Sequence, residues 1–136
     1  MTALQELLAS APEERRPLLR EIHRAIRAAA PKLPMKVWRQ KLWGGTDQTI
    51  LGYGEMRYRN SSGKDVEWFL IGLANQKGYV SIYVNAVRDG KYLPEIYGPR
   101  LGRVKIGKAA ASFRRLEDID LDGLHEMLTE ALHREP

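Results

Sequence analysis

The sequence predicts an α+β fold: an antiparallel β-sheet of about four to five strands with N-terminal and C-terminal helices packed on it. Three observations lead there. The stretch Asp65–Asn85 (DVEWFLIGLANQKGYVSIYVN) is rich in β-branched and aromatic residues, and only Asn75-Gln76-Lys77-Gly78 interrupts it, which fits two strands and a hairpin loop. From about Arg16 to Ala30, Leu18, Leu19, Ile22, Ala25, Ile26 and Ala29 recur at helical spacing before Pro31 and Pro34. Leu121–His133 carries Leu121, Leu124, Leu128, Ala131 and Leu132 on one helical face behind Asp120, a good N-cap.

With the loop at 75–78, Leu73 is expected opposite Val80, Ile71 opposite Ile82 and Phe69 opposite Val84. Those six side chains share one face, which helices must cover, because each buried apolar side chain contributes roughly 1.5–3 kcal/mol. Trp68, Leu70, Gly72, Tyr79, Ser81 and Tyr83 take the other face.

At the N-terminus Thr2 caps a short helix with Leu4, Leu7 and Leu8 on its inner side, and Ser10-Ala11-Pro12-Glu13 has the form of a capping box. Pro17 argues for one turn at 12–15 before the main helix. Met35–Trp43 reads as a short helical turn or a strand, and Gly44-Gly45-Thr46-Asp47 as a turn. Thr49–Arg59 is a strand joined through residues 60–64 to the central hairpin, with Met56 opposite Trp68 and Gly52 opposite Gly72. A helical turn is expected around Tyr92–Tyr97 and a short strand within Leu101–Gly107.

At 136 residues the chain reads as a single domain, 1–136, long enough to bury about two-thirds of its unfolded surface. Its apolar fraction of 43% excludes a disordered chain. No stretch approaches the roughly 18 apolar residues of a membrane span, so no membrane is expected as a partner. Cysteine is absent, which excludes disulfides, thiolate metal sites and thiol catalysis. MTALQELLASAPEERRP does not have the order of a secretory signal, and the expected compartment is cytoplasmic. The net charge of +5 is uneven: Arg88–Arg115 holds eight basic residues and two acids, and Glu117–Pro136 holds seven acids and one arginine. The acidic helix that follows offsets the basic stretch, so nucleic acid is not the expected partner.

Candidate sites follow from two features. Gly54 and Gly72, with Trp68, Tyr79 and Tyr83, would line one sheet face with Lys108 nearby. Glycines inside strands mark a close approach, by a packed helix or by a ligand in a shallow aromatic-walled groove. Glu117, Asp118, Asp120 and Asp122 are dense enough to bind a hard cation, although acids at a helix N-terminus also cap it. His23, His125 and His133 sit in helices without a catalytic or metal motif around them, and the face Asp122, His125, Thr129, His133 reads as solvated. Arg100–Lys108 lacks the spacing of a nucleotide-cradling loop and reads as a basic edge that discourages aggregation.

The order of several motifs resembles the YdhG-like family, a domain of unknown function. They are Leu42-Trp43-Gly44-Gly45, Ile50-Leu51-Gly52-Tyr53-Gly54, Tyr58, Ser62-Gly63-Lys64, Trp68, Leu73, Lys77 and Ser81-Ile82-Tyr83. Leu101-Gly102, Gly107-Lys108, Arg115-Leu116-Glu117-Asp118-Ile119-Asp120 and Leu124 continue the series. Similar chains often carry a cysteine two residues after the Gly-Lys, where this one has Ala110. The resemblance implies the same α+β architecture and, through a branch discussed as frataxin-like, a role in iron handling by the acidic turn at Glu117–Asp122. The functional expectation is a non-enzymatic domain that binds a small molecule or a protein, as monomer or homodimer. Iron handling is the alternative.

Overall fold

Thr2 opens the first helix as expected: its hydroxyl accepts from the Gln5 N–H at 3.1 Å, and the Gln5 side chain accepts from the Thr2 N–H at 2.8 Å. The computed structural model of the chain describes residues 1–41 and 47–134. Helix α1 is Ala3–Ala9 and α2 is Arg16–Ala29, with a 3-10 turn at Glu13–Arg15 between them. Ser10 does not open that turn, as a capping box would require. Its hydroxyl donates backwards to the Leu7 carbonyl and closes α1.

Strands β1 (Met35–Lys41), β2 (Asp47–Arg59), β3 (Asp65–Gln76) and β4 (Tyr79–Val84) follow, so the ambiguous segment after Pro34 is a strand. Of the turn expected at Gly44-Gly45-Thr46-Asp47, the first three residues lie outside the described ones and Asp47 is the first residue of β2. A small hairpin, β5 (Val87–Arg88) and β6 (Lys91–Tyr92), leads into α3 (Leu93–Tyr97). Then come β7 (Lys105–Ile106), β8 (Ala110–Phe113) and α4 (Leu121–Leu132). Six strands pair antiparallel in the order β1-β2-β3-β4-β8-β7, and β5 pairs with β6. No helix among the described residues is long and apolar enough to cross a membrane.

The central hairpin turns at Lys77-Gly78 alone, with Gly78 at φ +84, so Leu73 faces Ile82 and Ile71 faces Val84. The four-residue loop expected from the sequence is therefore too long. The pairing moves by an even number of residues, so within the paired stretch Ile71–Val84 the side chains keep their faces, because the strand repeat is two. Ile71, Leu73, Val80, Ile82 and Val84 accordingly lie together in the main core.

Phe69 departs from the expectation. It was expected beside Ile71, with Leu70 on the opposite face. Instead Leu70 packs on the main core, and the fully buried Phe69 joins Trp38, Trp68 and Tyr83. The β2–β3 ladder passes over Gly54 and Leu70, and Gly54 has φ +77, a conformation open to glycine at no steric cost. Asn85 holds the altered backbone: its N–H donates to the Leu70 carbonyl at 2.9 Å and its side-chain amide to the Phe69 carbonyl at 2.8 Å.

One face of the sheet carries all the helices. Leu7 of α1, Leu19, Ile22 and Ile26 of α2, Leu93 of α3, and Leu124, Met127, Leu128 and Ala131 of α4 are buried against the strand residues. Leu121, expected inside, is 42% exposed, while Met127 takes the inner position. Gly123 lets α4 approach Arg100 closely, since a Cβ there would lie 2.0 Å from the Arg100 carbonyl oxygen. Into the same core Tyr53 is fully buried, with its hydroxyl 2.7 Å from His23 Nδ1 on α2.

Candidate functional site

Strands β2 and β3 are longer than the strands beside them. Pairing with β1 ends at Met35–Tyr53 and pairing with β4 ends at Ile71–Val84, so the hairpin beyond those residues projects past both neighbours. Alongside the projection runs β5–β6, whose turn is Asp89-Gly90 with φ +53 and +78. The Leu93 N–H donates to the Ala86 carbonyl at 3.0 Å, and Arg88 Nε lies 3.1 Å from Glu130 Oε2 of α4, which fixes this hairpin to the body.

Between the two hairpins lies a cleft of about 460 Å³ lined by Met56, Tyr58, Trp68, Asn85, Val87 and Tyr92. Met56 and Trp68 are cross-strand partners, as the five-residue loop at 60–64 predicts. Tyr58 and Val87 are 45% and 41% exposed, so apolar surface on both hairpins is open to a ligand. The lining holds three aromatic rings, a thioether, a valine and one amide, and no carboxylate, imidazole or amine. Asn85 already uses its amide N–H on Phe69, which leaves its position well defined. Such a wall suits a flat apolar group.

The six residues expected around one groove fall in different places. Trp68 lines the cleft, and its ring also packs against Phe69 at 4.5 Å and edge-on to Trp38 at 5.5 Å. Gly72 is covered by Phe69, whose Cε1 would lie 2.5 Å from a Cβ there. Gly52 makes room for Phe69 and Trp38 likewise: a Cβ there would lie 2.9 Å from Phe69 Cβ and 2.6 Å from Trp38 Nε1. Gly54 sits at the break in the ladder against Leu33. Tyr83 is edge-on to Phe69, and its hydroxyl accepts from Gln76 at 2.9 Å. Burial raises the Tyr83 phenol above its ordinary value, so it stays protonated at neutral pH. Tyr79 borders a different depression beside β7, and Lys108 is exposed in the β7–β8 turn.

Of the lining residues, sequence reasoning named Trp68 and missed Met56, Tyr58, Asn85, Val87 and Tyr92. The signal was there: Val87-Arg88-Asp89-Gly90-Lys91-Tyr92 holds the Asp-Gly pair of a two-residue hairpin turn.

The acidic turn is engaged in local structure. Asp120 Oδ1 accepts from the N–H groups of Asp122 and Gly123 at 3.0 and 3.1 Å, the N-cap expected for α4. Asp118 Oδ2 accepts from the Arg115 N–H at 3.2 Å, and Glu117 Oε2 lies 3.9 Å from Arg115 Nε. Among the described residues no group of three or more His, Asp or Glu side chains is placed to hold a metal ion. Comparison of the chain with protein-family models, with curated proteins and with solved structures finds no match.

Proposed function

We propose that the chain is a non-enzymatic small-molecule-binding domain of the YdhG-like kind, and that the cleft between the β2–β3 and β5–β6 hairpins holds the flat apolar part of its ligand. One observation carries the reading: Tyr58, Trp68 and Tyr92 converge on a concavity of about 460 Å³ that lies where the long hairpin outruns its neighbours. That volume falls within the roughly 300–1,000 Å³ range of ligand pockets. The spaced motifs from Ile50 to Asp120 support the kinship, and the lack of cysteine supports a cytoplasmic setting.

Titration with 1-anilinonaphthalene-8-sulfonate tests the cleft. The dye is expected to bind saturably, and Tyr58→Ser, at a half-exposed position, should weaken it about three- to tenfold by removing one ring contact of roughly 0.5–1.5 kcal/mol. Melting of that variant should be unchanged. Binding indifferent to both Tyr58→Ser and Tyr92→Ala removes the reading. Iron handling by Glu117, Asp118, Asp120 and Asp122 is the alternative, resting on the resemblance. Ferrous titration decides it, since binding that is absent or unaltered by Asp118→Asn with Asp120→Asn ends that alternative.

A further inference from the structure

A second concavity lies at the β7–β8 edge of the sheet, sharing no residue with the aromatic cleft. It measures about 300 Å³ and is bordered by Tyr79, Lys105, Ile106, Ser112, Phe113 and Arg114. Its two cations come from neighbouring strands: Lys105 is the cross-strand partner of Ser112, and Arg114 follows two residues later. Most arginines of the basic stretch are matched to acids, Arg88 to Glu130, Arg100 to Glu126 and Arg115 to Glu117 and Asp118. Among the described residues no carboxylate lies within 4.0 Å of Lys105 or Arg114, although Arg114 also borders a depression containing Glu14, Glu21 and Glu117. Two cations brought together without an acid in the cleft lining match a dianion.

The hydroxyl network orders the floor. Ser81 donates to Gln76 Oε1, so the 2.7 Å contact between Ser81 and Ser112 is a donation from Ser112. Ser112 thus turns lone pairs outward and leaves anion contact to the cations. Tyr79, 37% exposed, supplies a surface suited to a ring, while Ile106 and the 4%-exposed Phe113 pack on the main core behind it.

We propose that this concavity binds a small organic phosphate monoester carrying a planar ring. Such a group bears about −1.5 to −2 charges at neutral pH, as Lys105 and Arg114 require, and its ring lies against Tyr79. A lysine placed on an edge strand solely to discourage aggregation would bind no such ligand.

Phenyl phosphate and inorganic phosphate, titrated separately into the whole chain and followed by amide chemical shifts, test the assignment. Phenyl phosphate is expected to saturate, to move the signals of Tyr79, Ser112 and Arg114, and to bind about tenfold more tightly than inorganic phosphate. Lys105→Gln and Arg114→Gln, both at exposed positions, should each weaken it several-fold, Lys105→Arg should preserve it, and added salt should weaken it. Absence of saturation below about 10 mM overturns the site. An equal loss in Lys64→Gln, which removes the same charge at a distant turn, shows a diffuse field and also overturns it. Equal affinity for the two phosphates overturns the ring contact.

Discussion

The two faces of one sheet solve the same burial problem differently. On the covered face, aliphatic side chains from β2, β3, β4 and β8 meet apolar residues of all four helices. On the other face no helix among the described residues is packed, and the strands close over themselves: Phe69 lies on Gly52 and Gly72, flanked by Trp38, Trp68 and Tyr83. A helix layer excludes water with many small contacts, whereas a lone layer needs large rings seated on glycine. Recognition has room at the margins of the sheet, with an aromatic cleft beside the projecting β2–β3 hairpin and a cationic one at the β7–β8 edge.

The contrast has measurable consequences. Leu73→Ala on the covered face should destabilise the domain by about 2–5 kcal/mol in urea unfolding, because the fully buried site cannot refill from solvent. A loss near zero would mean that the helices do not seal that layer. Gly72→Ala on the open face should cost about 1–3 kcal/mol by forcing Phe69 off its seat. The double variant with Phe69→Leu should lose less than the sum of its parts, and strict additivity would show that the ring and the glycine do not meet.

The smallest effect is a pH dependence confined to the covered side. Burial, then Arg27 and Arg24, hold the His23 imidazole below its ordinary value, and the neutral ring accepts the Tyr53 hydroxyl. Because the unfolded chain binds the proton first, stability is full above about pH 6.5 and falls as the pH drops below it. Unfolding midpoints of the His23→Gln variant should show a flatter acid limb, and an unchanged limb would assign it elsewhere.

Legibility followed the physics of each signal. The covered face could be read despite a wrong loop length at 75–78, since an even displacement leaves the side-chain alternation intact. The N-caps at Thr2 and Asp120 were legible because they depend on a few adjacent residues. The exchange of Phe69 and Leu70 was not, because it requires Gly54 on β2 and Asn85 beyond β4 to act on the same stretch of β3. For the same reason Gly72 reads as an open groove in the sequence and is filled by Phe69 in the fold. Tyr92 escaped notice because the Asp-Gly turn before it joins strands of only two residues each, too short for an alternation to show.

The sequence by itself determined the two-layer α+β design, most of the apolar set that faces the helices, and the starts of the first and last helices. These follow from side-chain periodicity and local hydrogen bonding, which neighbours in the chain decide among themselves. Only the tertiary structure decided that an aromatic ring would occupy the glycine-lined face and that two hairpins would enclose a cleft. Those outcomes depend on how far each strand outruns the next and on contacts between residues distant in the chain, which no local pattern encodes.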